Sequence, residues 1–116
     1  MKISIILSMT ALLVACGSAK QAGSSRNEIS FWVRGNCGMC EERIEASIAY
    51  VPGVIYGEWD RSTELLTVEY RTKKTTVEEI KARIARAGHD VEGVSADEEV
   101  YNALPRCCKY ERSVNN

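Results

Sequence analysis

In 116 residues there is one histidine, one phenylalanine and only two prolines. No Ser-His-Asp set is evident around the lone histidine, which leaves acid–base work largely to carboxylates, so the chain is expected not to be an enzyme. Neither charge is in excess: 15 Lys+Arg face 16 Asp+Glu, for a formal net charge of −1. Without a basic surplus to neutralise phosphates, nucleic-acid binding drops out. Long hydrophobic runs are missing as well. The apolar stretch of residues 3–14 falls short of the roughly 20 residues that cross a hydrocarbon core. What is present is a chain 45% hydrophobic and 27% charged, the composition of one globular domain, with five cysteines. Cysteine at that density in a short chain points to disulfides, metal or a lipid anchor.

The first cysteine closes a leader. Lys2 gives a positive start, residues 3–14 an apolar stretch, and Leu13-Val14-Ala15-Cys16-Gly17 its end. Small residues ahead of a cleavage point are what signal peptidases require, and a cysteine directly after them resembles the lipobox of bacterial lipoproteins. The resemblance implies cleavage between Ala15 and Cys16 and lipidation of Cys16. Two or more acyl chains would then hold the protein on the bacterial cell envelope, facing the periplasm. Residues 17–27, GSAKQAGSSRN, are small and polar without apolar periodicity, and read as a flexible tether. The expected organisation is a leader over 1–15, lipidated cysteine and tether over 16–27, a folded domain over 28–94 and a C-terminal segment over 95–116. Outside the cytoplasmic membrane, unprotected thiols oxidise. Cys37, Cys40, Cys107 and Cys108 are therefore expected to hold metal, to form disulfides, or to cycle between states.

Alternation in Ile29-Ser30-Phe31-Trp32-Val33-Arg34 predicts a strand, bounded by Gly35-Asn36. From Met39 the period changes. Met39, Ile44, Ile48 and Val51 approximate one helical face, and Pro52-Gly53 stops that helix. Residues 54–59 and 65–70 predict two more strands around a polar turn. Thr76 with Glu79 three residues on makes a capping box for a second helix that buries Val77, Ile80 and Ile84 and stops at Gly88. Residues 89–94 read as a short fourth strand. The order βαββαβ is the ferredoxin-like α+β arrangement, with a four-stranded antiparallel sheet and two helices on one face. Beyond it, residues 95–104 suggest a short C-terminal helix stopped by Pro105, ahead of Cys107-Cys108.

Cys37-Gly38-Met39-Cys40 sits between the first strand and the first helix. A two-residue gap lets both sulfurs turn toward one point, and amides at a helix start stabilise a thiolate. Two convergent thiolates favour soft ions: Cu(I), Hg(II), Cd(II) or Zn(II). At this placement the sequence resembles the heavy-metal-associated domain family, which includes copper chaperones, domains of copper-exporting ATPases and periplasmic mercury-binding proteins. The resemblance spans roughly 28–94 and rests on Cys37-x-x-Cys40 followed by Ile44-Glu45, on Gly53-Val54 and on Ala87-Gly88. It implies metal binding through Cys37 and Cys40, and transfer between thiolates to a metal-transporting membrane protein or a second metallochaperone. Where the family usually reads Gly-Met-x-Cys, this chain reads Gly35-Asn36-Cys37, and Met39 is the candidate to fill the apolar site of the missing methionine. The GNCGMC motif, with Leu104-Pro105-Arg106-Cys107-Cys108, looks like a lipoprotein subgroup of the family.

Further residues carry alternatives. Adjacent cysteines rarely bridge each other without strain, so Cys107 and Cys108 are candidate extra ligands or disulfide partners of the first pair, against a purely structural bridge or free surface thiols. His89 follows Gly88 on the loop that borders the metal loop in this fold, and is either a further ligand or a satisfied histidine. Tyr101 and Tyr110 are expected to pack the added helix on the sheet. Two other functions compete with capture of a soft ion, Cu(I) first. One is a thiol–disulfide redox protein using Cys37 and Cys40, against which stands the position of the only prolines, Pro52 and Pro105. The other is a disulfide-stabilised structural module, for which four cysteines permit three pairings.

Overall fold

In the computed structural model, which describes residues 25–112, three strands make one antiparallel sheet: β1 (Arg26–Trp32), β2 (Val54–Asp60) and β3 (Leu65–Arg71), in the order β1-β3-β2. Helices α1 (Gly38–Ala49) and α2 (Val77–Arg86) pack against each other, with α1 on β2; a third helix, α3 (Glu98–Asn102), follows. The expected leader, Cys16 and its lipidation lie outside the described residues. Strand β1 begins at Arg26, two residues inside the segment expected to be tether. Among the described residues no helix is long and apolar enough to cross a membrane.

Side-chain alternation places the core. On β3, Leu66, Val68 and Tyr70 are buried while Leu65 is exposed, and the register sets Phe31 and Trp59 on either side of Leu66. The other face is exposed, with the Ser30 and Thr67 hydroxyls 2.9 Å apart across β1 and β3. Helix α1 covers the apolar face through Cys40, Ile44 and Ile48, a strict four-residue stripe, and α2 through Ile80 and Ile84. Thr76 caps α2 by accepting the Glu79 N–H at 3.2 Å. The Glu79 carboxylate does not return to Thr76 but accepts the buried Thr75 hydroxyl at 2.9 Å, so half of the capping box forms.

Two expectations are corrected. No fourth strand forms among the described residues. Val33 and Val91 make an isolated antiparallel bridge, supported by Arg34 N–H to Asp90 O at 2.8 Å and Glu92 N–H to Trp32 O at 3.1 Å. The pairing ends there because Val91 and Val94 bond each other in a tight turn, and the Asp90 N–H is given to the Tyr110 hydroxyl instead of a ladder carbonyl. Met39 is the second correction. It is 48% exposed, and Cys40 heads the buried stripe in its place, so Met39 fills no core site.

The segment after α3 folds back over residues 88–91. Gly88, at φ 105°, lies so close to Leu104 that a Cβ would stand 2.9 Å from Leu104 Cδ2. Tyr110 is buried, donates its hydroxyl to Gly88 O at 2.8 Å, and stacks on His89 at 5.6 Å. Tyr101 meets Tyr110 edge-on at 4.9 Å. The tyrosines thus pack the tail on the 88–90 strip. Arg112 closes the arrangement on the buried Asp90, at 2.8 and 2.9 Å from its two carboxylate oxygens.

Candidate metal centre

The turn from β1 into α1 carries the spaced cysteine pair, and Gly35 sets its tightness. A Cβ at Gly35 would lie 2.9 Å from Trp59 Cζ2 and 3.0 Å from Cys40 Cβ. Glu64 braces the turn from the β2–β3 connection, where it holds a left-handed φ of 57°. Its carboxylate accepts the Gly35 N–H at 3.2 Å and the Arg34 guanidinium at 3.0 Å. Cys37 is the N-cap residue of α1 in extended conformation, and its carbonyl accepts the Cys40 N–H at 3.0 Å. Its sulfur makes no capping bond and is left for other chemistry. Cys40 lies in the first turn, buried, with its sulfur accepting the Asn36 N–H at 3.4 Å and facing Asn36 Oδ1 at 3.3 Å.

A third sulfur arrives from the tail. Pro105 precedes a single 3₁₀ turn, Arg106–Cys108, which buries Cys108 against the start of α1. Cys37 Sγ stands 3.5 Å from Cys40 Sγ and 3.9 Å from Cys108 Sγ, and all three sulfurs lie within 4.8 Å of one another. An ion with bonds of about 2.3 Å to three sulfurs in a plane would set them about 4.0 Å apart. These separations need little adjustment to close around one soft ion. All four described cysteines are free thiols.

The other two candidate ligands are not in this cluster. Cys107 is exposed and turns outward, its sulfur 3.2 Å from Met39 Sδ. His89 is fully buried, and its Nδ1–H donates to Arg34 O at 2.7 Å, which fixes the tautomer. The remaining ring nitrogen, Nε2, is buried without a partner, as is Arg43 Nε on α1. Burial first, and then the Arg43 charge, hold His89 below the usual imidazole range, against the pull of its Arg34 bond and of Asp90.

Electrostatics divide the thiols. Burial resists ionisation of Cys37, but the pull of the Cys40 amide, of the Cys40 and Cys108 thiols and of the Met39 amide at the start of α1 outweighs it and lowers its pKa to about 7. Cys108 is pushed up to about 12 by burial, then by its hydrogen bonds to Cys40 and Cys37 and by their charge. Cys37 is therefore the sulfur ready to meet an incoming ion, and Cys108 must lose its proton to the ion itself. Sequence reasoning missed Asn36 and Glu64. Only the polar turn before Glu64 signalled anything there, and nothing in the pattern marks a non-glycine residue with positive φ.

Comparison with known proteins agrees with this geometry. The heavy-metal-associated domain model matches residues 30–90. No curated protein matches the sequence significantly. Among solved structures, the CopZ metallochaperone is similar at 25% identity and TM-score 0.55, covering 57% of this chain and 100% of its own. The N-terminal domain of a potential copper-translocating P-type ATPase from Bacillus subtilis, in its Cu(I)-loaded state, is similar at 26% identity and TM-score 0.56, with coverage of 58% and 85%. Oxidised MerP from Ralstonia metallidurans CH34, at 24% identity and TM-score 0.55 with coverage of 58% and 94%, shares the fold.

Proposed function

The chain belongs to the heavy-metal-associated domain family, and from that premise we propose that it captures a soft cation and passes it on or sequesters it by thiolate exchange. The observation that carries the reading is the convergence of Cys37, Cys40 and Cys108 within 4.8 Å. Cu(I) is the favoured ion. Structural zinc takes four ligands, whereas the cluster offers three sulfurs with His89 outside it. Hg(II) and Cd(II) accept thiolates as readily, so metal analysis of protein purified under reducing conditions ranks them. The proposal assigns no catalytic step to the chain.

Anaerobic titration of the reduced protein should show one tightly held Cu(I), and Cys37→Ser with Cys40→Ser should abolish it. Cys108→Ser should weaken it by at least the roughly tenfold that even an outer partner of a metal site is worth. Tight binding that survives the double substitution overturns the reading. A thiol–disulfide role is the second reading, favoured by a Cys37 pKa of about 7 beside Cys40 at 3.5 Å. It predicts reduction of insulin by the dithiol form, which the metal reading does not.

The reading places the protein on the bacterial envelope through lipidated Cys16, delivering its ion to a metal-transporting membrane protein or a second metallochaperone. The leader and the Cys16 motif support this. Cys16→Ala should move the protein from the membrane to the soluble fraction or leave the precursor uncut. Unchanged partitioning removes the anchor from the proposal.

A further inference from the structure

The two cysteine-bearing segments present sulfur in both directions. Cys40 and Cys108 are buried within the cluster, while their chain neighbours Met39 and Cys107 face solvent with sulfurs 3.2 Å apart. Neither outer residue belongs to the apolar core, so packing does not account for them. They also adjoin the inner set along the chain: Met39 lies between Cys37, its least buried member, and Cys40, and Cys107 directly precedes Cys108. We propose that Met39 and Cys107 form a second, outer site for Cu(I), which stages the ion at the mouth of the three-thiol cluster. This rests on the soft-metal reading above and adds to it a place where the ion waits.

The donor set selects the ion. A thioether with a thiolate suits Cu(I), whereas a thioether adds little for a zinc ion. Two bonds of about 2.3 Å set the sulfurs at most about 4.6 Å apart, so the pair must open by about an ångström, within reach of two exposed side chains. Loading releases the Cys107 proton to water and leaves Cu(I) between that sulfur and Met39. Entry to the inner site is ligand exchange in two steps, with no change in oxidation state. The bond to Cys37 forms, its proton passing to water, as the bond to Met39 breaks. Then the bond to Cys40 forms as the bond to Cys107 breaks, Cys107 regaining a proton as Cys40 gives one up. Delivery runs the same steps backwards. An outer site of two ligands binds more weakly than an inner site of three, which is what a staging post requires.

The test follows the methionine methyl groups. Of the three methionines, Met1 and Met9 precede Cys16 and Met39 is the one among the described residues, so its resonance in the full chain labelled with 13C-methyl methionine is assigned by Met39→Leu. Cu(I) is diamagnetic and leaves that signal visible. During anaerobic titration the Met39 methyl should stay in place through the first equivalent and shift with a second, weaker one. Cys107→Ala should remove the second equivalent. A Met39 methyl that never moves overturns the proposal, and so does one that moves with the first equivalent, since Met39 would then be a ligand of the inner site. The Cys37→Ser, Cys40→Ser protein separates the two ideas. If it keeps a weak equivalent that moves the Met39 methyl, the outer site stands by itself. If it keeps tight binding with that methyl unmoved, both the soft-metal reading and the outer site fail.

Discussion

The amides at the start of α1 and the neighbouring thiols bring the Cys37 sulfur to about 7, while burial beside the same thiols pushes Cys108 up to about 12. The metal-free protein should therefore be alkylated fastest at Cys37, with a rate that climbs through neutral pH, while Cys108 resists until strongly alkaline conditions. Peptide mapping after iodoacetamide at a series of pH values checks this, and equal labelling of the two refutes it. The spaced pair was legible in the sequence because its chemistry is local, with one cysteine at the N-cap of α1 and the other in its first turn. Met39 was misread for a related reason. A cysteine reserved as a ligand was not counted as core, so the buried stripe of α1 was started one residue early, at Met39 instead of Cys40. That Cys108, and not Cys107, joins the pair depends on the 3₁₀ turn after Pro105, and spacing alone carries no sign of it.

Strand periodicity and helix caps located β1, β2, β3, α1 and α2 to within a few residues, since each has a buried face of its own. Residues 89–94 have a strand's composition, yet the tail takes the hydrogen-bonding groups a fourth strand would use. Tyr110 does this most directly, accepting the Asp90 N–H and donating to Gly88 O, each at 2.8 Å. Tyr110→Phe keeps the ring on His89 and leaves both backbone groups buried without a partner. The expected loss is about 2–6 kcal/mol in urea unfolding, from two desolvated groups worth about 1–3 kcal/mol each. Since the same segment delivers Cys108, Cu(I) affinity in this variant should fall toward that of Cys108→Ser. A stability loss with unchanged affinity would mean that Cys108 is held by the 3₁₀ turn and Pro105 alone.

For the molecule as a whole, the tail delivers Cys108 to the cluster and packs on His89 and Asp90, two groups that tie the fold to acid. His89 is held neutral below its usual range by burial and by the Arg43 charge. At Asp90 burial opposes the charge, but the bonds from Arg112 and the Ala96 N–H prevail, and its carboxyl is held below the usual range. Both folded pKa values are depressed, so at both groups the unfolded chain binds protons more readily than the folded one. Their contributions are present above the unfolded values, near 6.5 for the imidazole and 3.9 for the carboxylate, and are lost as pH falls through the folded ones. Acidification should therefore weaken the fold in two stages, the first below about pH 6.5 as the unfolded chain takes up the His89 proton, the second below about pH 4 through Asp90. His89→Gln should remove the first stage and leave the second, as measured by thermal unfolding across pH. The same titration followed by Cys108 labelling shows whether the tail opens first. Labelling that rises before the sheet melts would mean that acid uncovers the metal centre while the sheet and α1 still hold Cys37 and Cys40 in place. Simultaneous loss would mean that the tail and the sheet are one cooperative unit.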